Sequence, residues 1–286
     1  MWSVFPNYKP RSALRKPRLG RFERLESRWC PAAPTITSFV ADVGPGRSVT
    51  LTGQVSDENP GMVMVQFTGA VSATVYTNSQ GQFTYSTQNV QLGTVTAKAR
   101  DMQMLWSQPV TADITSNPPV FQNVTVVESG PNRQVTISGH ITDEDPGELW
   151  VVVTGRVNAY GNTDENGNFS ITSTSSELGE ITVTVLDPWA LEDVTTVTIT
   201  SNAPSISNLT VTQESLDYYL IQGTVNDEFA PGLTVFFGGV LQGESITVNS
   251  QGIFQITVYA PDGGEANAYV YDWWGIQSEL VWFTIP

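Results

Sequence analysis

Between residues 35 and 286 apolar and polar side chains alternate with a period of two, in short runs separated by Gly, Pro, Asn, Asp and Ser. That period marks a strand with one buried face, and the separating residues are those that turn a chain. No stretch carries the 3.6-residue period of an amphipathic helix. The run GHITDEDPG, Gly139–Gly147, shows the unit: an alternating strand that closes on acidic residues and a Pro-Gly turn. Related runs stand at Gly53–Gly61 (GQVSDENPG) and Gly223–Gly232 (GTVNDEFAPG).

Three markers give one period. The acidic pairs Asp57-Glu58, Asp143-Glu144 and Asp227-Glu228 are 86 and 84 residues apart. Turn glycines Gly81, Gly167 and Gly252, and aspartates Asp101, Asp187 and Asp272, are both spaced by 86 and 85. The chain therefore divides into residues 1–34 and three units at 35–116, 117–202 and 203–286. Each unit holds seven alternating segments. In the middle one they are centred on Val124, Ile137, Val151, Ala159, Ile171, Val183 and Val197. Seven short strands with frequent turn signals predict an all-β chain of three tandem immunoglobulin-like sandwiches. The glycine within each second strand (Gly53, Gly139, Gly223) predicts a bulge or a close backbone approach. The joints Ile114–Pro119 and Ile199–Pro204 are short and stiffened by proline, which predicts a semi-rigid array.

The pattern G-x-V-x-D, G-x-F, V-x-V-x-D is carried in the middle unit by Gly139, Asp143, Gly167, Phe169, Val183, Val185 and Asp187, with Ile141 at the first Val. It resembles the bacterial immunoglobulin-like (Big-type) families found in tandem in surface adhesins and other large extracellular proteins. The resemblance spans residues 35–286 and implies the sandwich fold and a stalk or display role. The chain departs from it in the aromatic run Asp272-Trp273-Trp274-Gly275.

Charge sets the first 34 residues apart. They carry eight basic and two acidic residues, a net +6, whereas residues 35–286 carry five basic and 26 acidic residues, a net −21. The three units hold about −2, −10 and −9, and the third contains no Lys or Arg. Such a body repels phosphate backbones and anionic lipid, which excludes nucleic acid as a partner. No apolar run is long enough to span a bilayer as a helix. The basic head has no periodic apolar face and no apolar core of a secretory signal, so its composition predicts a disordered tail. Cys30 is the single cysteine, so an intrachain disulfide is excluded. Within the head, Arg21–Ala32 (RFERLESRWCPA) resembles the LEPR-XLL type of N-terminal segment, through Leu25-Glu26-Ser27-Arg28. That resemblance implies export to the cell surface or the medium; a basic tail on a cytoplasmic protein stays open.

In an immunoglobulin-like sandwich the second–third, fourth–fifth and sixth–seventh connections emerge at one pole, where the chain also arrives. That pole gathers Asp143, Glu144, Asp145 and Asp187 in the middle unit, a set of hard oxygens suited to Ca²⁺. The competing reading has the first acid capping backbone N–H groups of its own turn. Trp106, Trp189, Trp273 and Trp274 fall in the last connection of their units and are candidates for binding a cell-surface glycan or protein. The Trp273-Trp274 pair is expected to be the exposed one. His140, the only histidine, is expected at the surface, and no nucleophile–base arrangement accompanies it. The sequence therefore predicts no enzymatic activity and no cofactor other than Ca²⁺. It predicts an exported spacer or adhesion module; the alternatives are a glycan- or protein-binding module and an accessory part of an extracellular degradative enzyme.

Overall fold

The computed structural model describes Trp2 and residues 31–286. Cys30 and the greater part of the basic head, including all but the end of the LEPR-XLL-like segment, lie outside the described residues.

The described chain folds as three seven-stranded sandwiches. The first contains β1 (Thr35–Gly44), β2 (Ser48–Ser56), β3 (Met64–Gly69), β4 (Ala73–Tyr76), β5 (Gln82–Thr87), β6 (Gly93–Arg100) and β7 (Val110–Ile114). The second contains β8 (Val120–Gly130), β9 (Gln134–Thr142), β10 (Trp150–Gly155), β11 (Ala159–Asn162), β12 (Asn168–Thr174), β13 (Gly179–Leu186) and β14 (Glu192–Ile199). The third contains β15 (Ser205–Ser215), β16 (Tyr218–Asn226), β17 (Thr234–Gly239), β18 (Ser245–Thr247), β19 (Ile253–Tyr259), β20 (Gly264–Val270) and β21 (Val281–Ile285). Each sandwich packs a three-stranded antiparallel sheet, ordered first–second–fifth, on a four-stranded one, ordered fourth–third–sixth–seventh. The fourth strand pairs with the third because their connection is short: residues 70–72 and 156–158 number three, and residues 240–244 number five. So short a link returns the chain to the strand it left rather than across the ~10 Å between sheets.

The two-residue period sorts the faces. In β9 Val135, Ile137 and Ile141 are fully buried, while the intervening Thr136, Ser138 and His140 are part-exposed. They meet Val151 and Val153 of β10 and Ile181, Val183 and Val185 of β13 in one apolar core. Equivalent cores form around Leu51, Phe67 and Ala97 in the first sandwich and around Ile221, Phe237 and Ala268 in the third. Each fully buried Val, Leu or Ile contributes roughly 1.5–3 kcal/mol, so an 80-residue sandwich without disulfides can hold itself together.

The recurring glycine of the second strand has a specific partner. Gly53, Gly139 and Gly223 lie directly opposite Phe83, Phe169 and Phe254 of the fifth strand. Each ring lies over its glycine, where a Cβ would collide with it. On the other side the first strand breaks register next to the same glycine, between Ile36 and Ser38, Phe121 and Asn123, and Ser207 and Thr210. The carbonyls of Ser38 and Asn123 then crowd Gly53 and Gly139. The sequence left a bulge and a close approach as alternatives; the structure contains both, on facing strands. Gly139→Ala is expected to destabilise the middle sandwich by about 1–3 kcal/mol through overpacking. Gly147→Ala, where an added methyl meets only ordinary contacts, serves as the reference. Urea unfolding with hydrogen exchange at residues 135–141 measures the difference, and equal stability of the two variants would refute the packing account.

Candidate functional site

The acidic pole is built by local hydrogen bonding before any other chain reaches it. Asp57, Asp143 and Asp227 each accept the backbone N–H two residues on, from Asn59, Asp145 and Phe229 (2.8–3.1 Å). Asp101, Asp187 and Asp272 are buried and accept the N–H four residues on, from Leu105, Leu191 and Ile276 (2.7–2.8 Å). In the opposing hairpin Asn78, Asp164 and Asn249 cap two N–H groups each, and the following Gly81, Gly167 and Gly252 take φ near +80°. Short polar side chains and glycine are what such turns require.

The second acid of each pair reaches outward to the arriving linker. Glu58 Oε1 accepts the Ala32 N–H (2.8 Å). Glu144 Oε1 accepts both the backbone N–H and the side-chain amide of Asn117 (2.8 and 2.6 Å), and Glu228 repeats the arrangement with Asn202 (3.0 and 2.5 Å). The remaining oxygen of Asp187 accepts the Ser116 hydroxyl at 3.4 Å, and that of Asp272 accepts Ser201 at 3.0 Å. Burial opposes ionisation of Glu144, but the N–H donors of its own backbone and of Asn117 outweigh it and hold the carboxyl below its ordinary range. The same balance lowers Glu228.

At each internal junction one tryptophan of this loop faces the preceding sandwich. Trp189 Nε1 donates to the Val90 carbonyl of the first sandwich (3.2 Å). Trp274, two residues after its aspartate as Trp189 is, donates from Nε1 to Glu128 Oε2 of the second (2.6 Å) and packs on that sandwich's core. Arg133 stacks over the Trp274 ring (5.9 Å) and donates to the Trp273 carbonyl (3.2 Å). Trp273 turns back onto its own domain, with Nε1 on the Phe229 carbonyl (3.1 Å). Thus Trp189, Trp273 and Trp274 are all half-buried, contrary to the expected exposure of the last two, whereas Trp106 is exposed beneath the Arg100 guanidinium. His140 is also half-buried rather than free at the surface.

The structure brings Asp143, Glu144 and Asp145 together at a cavity of about 180 Å³ between the first two sandwiches, along with Ser116, Pro45 and Trp189. Asp187 borders the same joint through Ser116. Among the described residues, however, no three carboxylate, imidazole or thiol side chains converge closely enough to hold a metal ion. Glu144 Oε1, Asp143 Oδ1 and both Asp187 oxygens are directed to N–H and O–H donors of the linker and turns, while Asp143 Oδ2 is buried without a partner among the described residues. Sequence reasoning missed those donors. Their signal was the Ser-Asn pair of ITSNPP and ITSNAP, which recurs 71 residues before Asp187 and before Asp272, at Ser116 and Ser201.

No protein-family model matches the chain, and no curated protein matches it. Solved structures do resemble it loosely. One is a bacterial ice-binding adhesin described for host cell surface retention, at 16% identity over 90% of this chain and 98% of that one, TM-score 0.28. Another is the FN1–FN3 region of chicken CNTN1, at 11% identity over 89% and 98%, TM-score 0.27. A third is a Bacteroides ovatus protein of a mixed-linkage glucan utilisation locus, solved with a heptasaccharide, at 13% identity over 87% and 66%, TM-score 0.23. Overlaps this loose carry no argument about function. The chain is a tandem array of immunoglobulin-like sandwiches on the strength of its own sheets and cores.

The joint between the second and third sandwiches concentrates acid. Burial, against the Trp274 hydrogen bond and reinforced by Asp227, Asp272 and Glu228, pushes Glu128 up to about 7. Burial likewise pushes Asp227 up to about 6, with Glu228 and Asp272 adding to it. Glu128, whose partners Trp274, Asp227, Asp272 and Glu228 lie across the joint, binds its proton more tightly docked than free. Its contribution to docking is therefore complete below the ordinary carboxylate range and is lost as pH rises through about 7. Docking of the third sandwich is expected to loosen between pH 5 and pH 8, seen as a shift of Trp274 fluorescence. Glu128→Gln should flatten most of that dependence, and an unchanged pH profile in the variant would refute the assignment.

Proposed function

We propose that the chain is a non-catalytic array, exported and held at or beyond the cell surface, whose sandwiches serve as a spacer that presents one end of the protein. The observation that carries this reading is the repeated joint. At both internal junctions the same Glu holds the linker Asn, the same Asp holds the linker Ser, and a Trp indole reaches back to the preceding sandwich. A linker clamped at several points resists bending, which is the mechanical property a spacer needs and a flexible tether lacks. The recurring carboxylates are engaged by the chain's own turns and linkers, which supports a structural role over acid–base chemistry.

Export rests on the LEPR-XLL-like segment, and the adhesive role on the resemblance to tandem surface families. Among the described residues no helix is long and apolar enough to cross a membrane. A tagged full-length chain is expected at the cell surface or in the medium; retention in the cytoplasm would overturn the export part of the reading. For the array itself, Trp189→Ala combined with Trp274→Ala should broaden the pair-distance distribution in small-angle scattering while each sandwich keeps its own melting transition. Scattering identical to that of the wild type would show that the joints do not stiffen the chain.

A further inference from the structure

The three sandwiches present the same outer face of the same four-stranded sheet, so each serves as a control for the others. In the first, the cross-strand pairs on that face are Gln66 with Lys98, Thr68 with Thr96, and Thr96 with Thr111. In the second they are Val152 with Thr184, Thr154 with Thr182, and Thr182 with Thr196. In the third they become Phe236 with Tyr269, Gly238 with Asn267, and Asn267 with Trp282. Two domains thus build this sheet with threonine at most of these places, and the fold does not need the aromatics of the third.

Those aromatics form one surface. Phe236 lies against Tyr269 (ring centroids 5.7 Å) and edge-on to Tyr271 (6.2 Å), and Tyr269 meets Tyr271 at 5.9 Å. Trp282 is 61% exposed and Tyr271 41%. Between them the absent side chain of Gly238 leaves a depression filled by the Asn267 amide, whose Oδ1 and Nδ2 would stand 2.8 and 2.9 Å from a Cβ placed there. Asn267 is only 8% exposed and its side-chain amide makes no hydrogen bond among the described residues, yet it is not sealed from solvent. Its donor and acceptor therefore stand open at the floor of the depression to a group from outside. The Tyr271 hydroxyl is held by Gln277 Oε1 at 3.1 Å, adding a second neutral polar group at the edge.

We propose that this face of the third sandwich, centred on Asn267 and Trp282, binds a neutral polysaccharide. Pyranose rings offer apolar C–H faces to Trp and Tyr, and hydroxyls that both donate and accept to an amide. Charge decides against anionic occupants and against a second copy. Residues 203–286 hold nine acidic residues and no Lys or Arg, so nucleic acid, uronate and sulfated polymers are repelled, and so is the same face of a second copy. The site stands apart from the joints, and its failure would leave the spacer reading intact.

The test uses the full chain in affinity electrophoresis through gels holding mixed-linkage glucan, hydroxyethyl cellulose, xylan, mannan or starch, with polygalacturonate and a proline-rich peptide column for comparison. Retardation by at least one neutral polymer is expected. Trp282→Thr and the combined Gly238→Thr/Asn267→Thr exchange, which install the residues of the middle sandwich, should each weaken it roughly tenfold or more. Leu216→Ala, at the exposed turn between β15 and β16, should leave it unchanged. Circular dichroism melting establishes that the variants fold, and quenching of tryptophan fluorescence by the retarding polymer, lost in Trp282→Thr, gives a second readout. Passage of the wild type through all five neutral gels overturns the proposal, as does retention by the anionic polymer or the peptide alone. Retardation that survives the exchanges overturns it equally.

Discussion

A linker that passes between two sandwiches leaves one sheet before it joins the next, and its backbone N–H groups need partners throughout. Here part of that need is met by carboxylate. Glu144 and Glu228 take the backbone and side chain of Asn117 and Asn202, and Asp187 and Asp272 take the hydroxyls beside them. Charge-assisted bonds of this kind are stronger than neutral ones; the Glu–Asn bonds are exposed, whereas the part-buried Asp187 and Asp272 bonds are less open to screening by salt. The acidity of the body follows in part from this device, since each junction spends two or three carboxylates on a few residues of chain.

The same engagement accompanies the absence, among the described residues, of three carboxylate, imidazole or thiol side chains converging closely enough to hold a metal ion. A cation of the calcium type needs six to eight oxygens converging on one point. In the middle sandwich Glu144 is turned to the linker, Asp187 to its own loop and Ser116, and one oxygen of Asp143 to its own turn. The other oxygen of Asp143 is buried without a partner among the described residues, and burial raises the pKa of the group, with Glu144, Asp187 and Asp145 adding to the effect. The joint between the second and third sandwiches shows comparable crowding, where burial pushes Glu128 up to about 7 and Asp227 up to about 6. Proton uptake is the response available to a carboxylate cluster whose geometry is set by turns.

The succession of strands, their period and a close approach at the second-strand glycine were legible because each is a local consequence of residue type; the phenylalanine that makes the approach was not. Alternation names the buried face, and Gly139 with Phe169 recurs in every copy. The position of the tryptophans was not legible. Trp189 and Trp274 lie in a loop that a lone sandwich would expose, and only the neighbouring domain, through Val90 and Glu128, covers them. A one-domain rule places a side chain at a pole; it does not say that the pole is occupied. The pairing of the fourth strand with the third was set by a loop length that the turn signals alone did not define.

Repetition also decides what an aromatic residue means. Phe169 has a counterpart in every sandwich and is explained by the glycine beneath it. Trp189 and Trp274 share a position and a task, and the first sandwich, with Gln103 there, has no described domain before it to hold. Trp282, Tyr269 and Phe236 have threonine, lysine, valine or glutamine as counterparts, and no joint covers them. A side chain that the fold, the core and the junction all do without is left with the solvent side as its reason. In a chain built three times on one plan, the position where one copy departs from the other two is therefore the place to look for a ligand.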